Sequence, residues 1–94
     1  MDLISGDQPV LIDFFATWCG PCKMMPPILK EVKEKLGDQV RIIKIDVDKN
    51  PQIAQKYSIR GVPTLMMFKN GAPVWQEAGV QTAPAILKVV EKHR

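Results

Sequence analysis

Ninety-four residues suit one compact domain spanning 1–94 and are too few for two, and 46% apolar with 24% charged residues is an ordinary globular composition. No apolar run approaches the ~20 residues of a membrane-spanning helix, so no membrane association is expected. The net charge of +3 is dispersed in Lys/Glu mixtures such as Lys30-Glu31-Val32-Lys33-Glu34-Lys35, without the basic block or aromatic-basic interleaving that nucleic acid would require.

The opening residues, Met1 to Asp7, have no basic segment followed by a long apolar one, so no secretory signal is expected and the cytoplasm is the default location. Pro9 to Ala16 reads as a strand with proline at its first position, and the continuous run Val10-Leu11-Ile12 and Phe14-Phe15 implies burial on both faces, as in a central parallel strand. From Pro21 to Leu36 the spacing becomes helical, with Met25, Ile28 or Leu29, Val32 and Leu36 on one face and Gly37 as the stop. Pro27, inside that span, removes one internal hydrogen bond, and a kink is expected there.

Val40 to Val47 reads as a second buried strand, reached through the helix, which makes a βαβ unit with parallel strands. Asn50 and Pro51 read as cap and first residue of a short helix to about Tyr57, followed by a loop over Ser58 to Pro63. Thr64 to Phe68 and Val74 to Ala78 form an antiparallel pair about the Asn70-Gly71 turn, and Thr82 caps a last helix with Pro84 in its first turn. Trp75 and the pairs Met24-Met25 and Met66-Met67 are assigned to the core or its margin.

Both cysteines lie in Phe14 to Cys22, where the first strand turns into the first helix. A thiolate at a helix N-terminus is stabilised by unpaired N–H groups and the helix dipole. Cys19 stands at that end, and Cys22, one turn later, can attack a mixed disulfide formed at Cys19. Two bland readings compete with this one. Zinc wants four ligands, and only His93 could join the two cysteines; a structural bridge closing four residues yields only about 2 kcal/mol as a chain constraint. Asp13 is the other anomaly, since a carboxylate in an apolar strand is expensive to ionise if buried. From the residues alone it is either a proton acceptor with a raised pKa or a strand-end carboxylate held by hydrogen bonds.

Trp18-Cys19-Gly20-Pro21-Cys22-Lys23, with Asp13 before it and Gly61-Val62-Pro63-Thr64, Phe68-Lys69-Asn70-Gly71 and Gly79 after it, resembles the thioredoxin family over nearly the whole chain. The resemblance implies the α/β thioredoxin fold, a four-stranded mixed sheet flanked by three helices, in the strand order second, first, third, fourth. It implies a thiol-disulfide oxidoreductase reducing protein disulfides through a redox-active Cys19–Cys22 disulfide, with no bound cofactor and no metal. A thioredoxin reductase-type electron donor and disulfide-containing client proteins are the implied partners.

By the same resemblance Cys19 attacks, Cys22 resolves, Asp13 is the base for Cys22, and Lys44 is the ammonium near that base. Its other reading is a solvated lysine on a sheet edge. Pro63 matches the cis-proline opposite the dithiol, and Trp18, Gly20, Pro21, Gly61, Val62 and Gly79 join it as the substrate surface. From the residues alone a trans turn proline would be favoured. The rival functions are a disulfide oxidase or isomerase, and a thioredoxin-fold subunit that binds without turnover.

Two departures stand out. Phe15 occupies the place of a usual tryptophan, which keeps the aromatic volume, and little functional loss is expected. Family members usually begin with an extra strand and helix, of which only a last turn at Met1 to Ile4 is expected here. The edge at Val40 to Val47 should therefore be exposed or covered otherwise, which leaves an otherwise monomeric chain open to edge-mediated association.

Overall fold

The computed structural model describes residues 4–94, so most of the helical turn expected at Met1 to Ile4 lies outside the described residues. Strand β1 (Val10–Phe15) is central, paired in parallel with β2 (Arg41–Asp46) and antiparallel with β3 (Thr64–Lys69), which in turn pairs with β4 (Ala72–Ala78). The resulting order is β2-β1-β3-β4, a mixed sheet. A strand with neighbours on both sides and helices on both faces is expected to be apolar, which accounts for Val10, Leu11, Ile12, Phe14 and Phe15 and leaves the buried Asp13 as the one exception in β1.

Helices α1 (Met25–Leu36) and α3 (Ala83–His93) cover one face, where Leu11, Met25, Val32, Met67, Ile86 and Val90 are buried together. Short α2 (Pro51–Lys56) lies on the other face, and Ile53 and Tyr57 pack against Ile12, Phe14, Met66 and Phe68. Period-2 alternation divides the sheet residues between the two cores, sending Met66 to one and Met67 to the other. Truncating a fully buried residue such as Leu11 to alanine would cost about 2–5 kcal/mol.

The first helical segment differs from its expected form. A 3-10 turn spans Pro21–Met24, and the α-helix begins only at Met25. Pro26 and Pro27 therefore lie in the first turn of α1, where backbone N–H groups have no intrahelical acceptor, and no internal hydrogen bond is lost at Pro27. Gly37 ends α1 at φ +55°, a conformation that favours glycine. Met24 also departs from its assignment: it is 58% exposed, whereas Met25 is buried.

Strand β2 is an edge, as the implied strand order has it, but it is not fully buried as its apolar pattern suggested: Arg41 and Lys44 are exposed on it. Its isoleucines face the two cores, a pattern that in sequence looks like full burial. Asn50 does precede α2, but its side chain donates to the Asp46 carbonyl (3.1 Å) instead of capping the helix. Asn70 and Gly71, at φ +55° and +79°, make the turn between β3 and β4. Thr82 caps α3, its hydroxyl accepting from the Ala85 N–H at 3.3 Å.

Candidate active site

The end of β1 delivers the chain into a tight turn in which the Cys19 N–H donates to the Ala16 carbonyl at 3.2 Å. Gly20 follows, and Pro21 opens the 3-10 turn with its preset φ and no N–H to satisfy. Cys19 and Cys22 are joined as a disulfide, their Cα atoms 5.3 Å apart. Both are nearly buried, at 3% and 5% exposure.

Because the α-helix starts after Cys22, the dipole expected to act on Cys19 is replaced by a single aimed donor. The Cys22 N–H points at Cys19 Sγ over 3.1 Å, a contact that stabilises a thiolate at Sγ once the bridge is reduced. Cys19 Sγ also lies 3.6 Å from the Val62 carbonyl oxygen. The Val62-Pro63 peptide bond is cis, as the resemblance implied and the single-sequence odds did not.

Around Cys19 the structure gathers most of the expected substrate surface. Pro63 is buried, its carbonyl accepting from the Gly79 N–H at 2.8 Å, and Gly79 has φ +91°, where a side chain would be strained. Val62 is half-buried, while Gly20, Pro21 and Gly61 are exposed at the rim. Trp18 is 71% exposed, an unusual position for so large an apolar ring. Its indole Nε1 donates to Asp48 Oδ2 at 2.8 Å, and a recess of about 130 Å³ lies between Trp18, Ile59, Arg60 and Val62. Asp48 and Arg60 are residues that sequence reasoning did not single out; nothing in their local pattern separates them from ordinary loop charges.

Cys22 faces a different environment. A cavity of about 250 Å³ is lined by Asp13, Phe15, Ala16, Cys22, Pro26 and Lys44. Asp13 is 2% exposed, and its Oδ1 has no hydrogen-bond partner among the described residues, so the hydrogen-bonded strand-end reading does not hold for that oxygen. Burial pushes its carboxyl up from 3.8 to about 6, and the Lys44 ammonium pulls it partly back. Lys44 pairs with Asp13 across β1 and β2, and it is also exposed on the sheet edge, so its two readings describe one residue. Among the described residues no group of three or more metal-ligating side chains occurs.

The family model for thioredoxin matches residues 1–92. The chain belongs to the thioredoxin family. It is 47% identical over 89 residues to the chloroplastic thioredoxin Y1 of Arabidopsis thaliana, covering 95% of this chain and 52% of that one. Thioredoxin of Rickettsia felis is 42% identical over 91 residues, covering 97% and 87%. Among solved structures, a mutant thioredoxin from Halobacterium salinarum superposes with a TM-score of 0.89 at 39% identity, covering 98% of this chain and 80% of that one. The chain thus spans about half the length of the plant relative and most of the microbial ones. A thioredoxin-family chain with this disulfide is a thiol-disulfide oxidoreductase.

Proposed function

We propose that the chain reduces disulfides in client proteins and is itself re-reduced by a dithiol donor of the thioredoxin reductase type. The observation that carries this reading is the Cys22 N–H aimed at Cys19 Sγ beside the Val62 carbonyl, because it makes one sulfur the better anion and gives an extended client a backbone to pair with. In the reduced protein the Cys19 thiolate attacks one sulfur of a client disulfide. A Cys19–client bond forms, the client S–S bond breaks, and the other client sulfur leaves as thiolate.

The Asp13 carboxylate then takes the Cys22 proton. The Cys22 thiolate attacks Cys19 Sγ, the Cys19–Cys22 bond forms, and the second client sulfur leaves to be protonated. The client gains two electrons and the chain is left oxidised. A carboxyl with a pKa of about 6 suits this work, since it is mostly ionised at neutral pH yet still accepts a proton. Trp18, Gly61, Val62, Pro63 and Gly79 hold the client, with Gly20 and Pro21 as the rim beside the sulfurs, and Lys44 sets the basicity of Asp13. A reducing compartment such as the cytoplasm suits this direction, because an oxidising one would drive the same steps backwards, and a shift of 30 mV changes the balance by about 1.4 kcal/mol.

Single-turnover reduction of a disulfide-containing protein, followed for wild type and Cys22→Ser, tests the proposal. Wild type should release reduced client, and Cys22→Ser should stop at a covalent Cys19–client adduct. Release of fully reduced client by Cys22→Ser would contradict the order of attack.

A further inference from the structure

Arg60 is a cation beside the dithiol that the redox steps leave unused. It is exposed, and its side chain forms no ion pair or hydrogen bond among the described residues. Asp48 does not neutralise it, because that carboxylate accepts from the Trp18 indole instead. The backbone is held on both sides of Arg60: the Ile59 N–H donates to the Ala54 carbonyl at 2.9 Å, and the Gly61 carbonyl accepts from the Thr64 hydroxyl at 2.7 Å. Two residues further on, at most about 7 Å between Cα atoms, stands Val62. Its carbonyl lies 3.6 Å from Cys19 Sγ, so an unpaired guanidinium is fixed within a few residues' reach of the attacking sulfur.

Two recesses meet at this residue. The one of about 130 Å³ has Trp18, Val47, Ile59 and Val62 as apolar walls, and a second of about 440 Å³ continues from it past Ala54, Gln55 and Ser58. Val47, Ile59 and Arg60 line both, and among the described residues Arg60 is the one charged residue that lines either. The smaller recess is well below the ~300–1,000 Å³ of a small-molecule pocket, so it suits a single side chain of a bound segment. Resting on the reading that Trp18 and Val62 hold the client, we propose that Arg60 selects clients that carry a glutamate or aspartate within three residues of the attacked cysteine, seated in the smaller recess. The methylene groups of that residue lie against Trp18, Val47 and Ile59, and its carboxylate meets the guanidinium, whose fork of N–H donors matches two carboxylate oxygens. An apolar residue fills the same space without the ion pair, and a lysine sets like charges together. The preference acts on the first attack, because the client is seated when Cys19 reaches its sulfur.

The test uses the reduced Cys22→Ser chain and a set of peptides, each with one central cysteine activated as its mixed disulfide with 2-thiopyridine. Cys19 thiolate attacks the peptide sulfur, a Cys19–peptide bond forms, and 2-thiopyridone leaves, so its absorbance gives the rate of the first attack. Glutamine, glutamate or lysine is placed in turn at each of the three positions on either side of the cysteine in a neutral background. At one or more of these positions glutamate should react about three- to tenfold faster than glutamine, and lysine more slowly, with the differences shrinking at high salt. Adding Arg60→Gln should abolish the preference, and Arg60→Glu should turn it in favour of lysine. Lys92→Glu, the same charge change on the exposed side of α3, should leave it intact. Equal rates for glutamate and glutamine at every position would overturn the proposal, as would a preference that survives Arg60→Gln or falls as far with Lys92→Glu. Reaction of the glutamine peptides without any preference would remove the role of Arg60 alone. Failure of every peptide to react would contradict the disulfide chemistry itself, and the role of Arg60 with it.

Discussion

Asp13 and Lys44 stand opposite each other across the parallel pair β1 and β2, one buried and one at the open edge. Burial raises the carboxyl to about 6 and the ammonium restrains the rise. The folded chain therefore holds this proton more tightly than the unfolded chain does. Stability should be greatest below about pH 4 as far as this group is concerned, and should decline as pH rises through 4 to 6. A rise of roughly two units corresponds to at most about 3 kcal/mol. Urea denaturation of Asp13→Asn should show a stability gain of that order over wild type at pH 7.5 and little gain at pH 4. Equal gains at both values would mean that the ionised carboxylate is not the cause.

The same carboxyl should govern the second half of the reaction. Asp13→Asn should slow resolution of the mixed disulfide by on the order of tenfold to a hundredfold near pH 7, leaving the first attack by Cys19 nearly unchanged. Rapid-quench measurement of adduct formation and decay separates the two steps. A defect in formation alone would place Asp13 outside the Cys22 step.

Lys44→Gln removes the charge that holds the Asp13 carboxyl down. Its midpoint should move above the wild-type value of about 6, and the pH profile of resolution should move in the same direction. Titration of the Asp13 carboxyl carbon by NMR checks this directly. An unmoved midpoint would leave Lys44 as a solvated edge residue only.

Trp18 is held by a single hydrogen bond to Asp48. Asp48→Ala removes an interaction of about 0.5–1.5 kcal/mol, which should free the indole and raise KM for a protein client about two- to tenfold with kcat little changed. Steady-state reduction kinetics test it. A fall in kcat at constant KM would instead tie Asp48 to the chemical steps.

Much of this molecule is legible in its sequence because its local signals agree with one another. The apolar run of β1, the Asn70-Gly71 turn and the Thr82 cap each have a short-range physical cause, and each is found as expected. What was not legible depends on distance. The apolar residues of 40–47 look the same whether or not a neighbour lies beyond them, so their pattern alone reads as a buried strand, and it was the strand order implied by the family resemblance that placed this strand at the edge. Pro26 and Pro27 could mark a kink or a helix start, and only the 3-10 turn before them decides for the start. Asp48 reaches Trp18 across 30 residues, and no periodicity connects the two.

The central claim is that Cys19 and Cys22 are unequal, one poised to attack and the other to resolve. Alkylation of the reduced protein over a range of pH, with the modified cysteine identified by mass, tests it most directly. Cys19 should react selectively and rapidly below pH 8, with Cys22 much slower at every pH. Equal, slow modification of both thiols would contradict it.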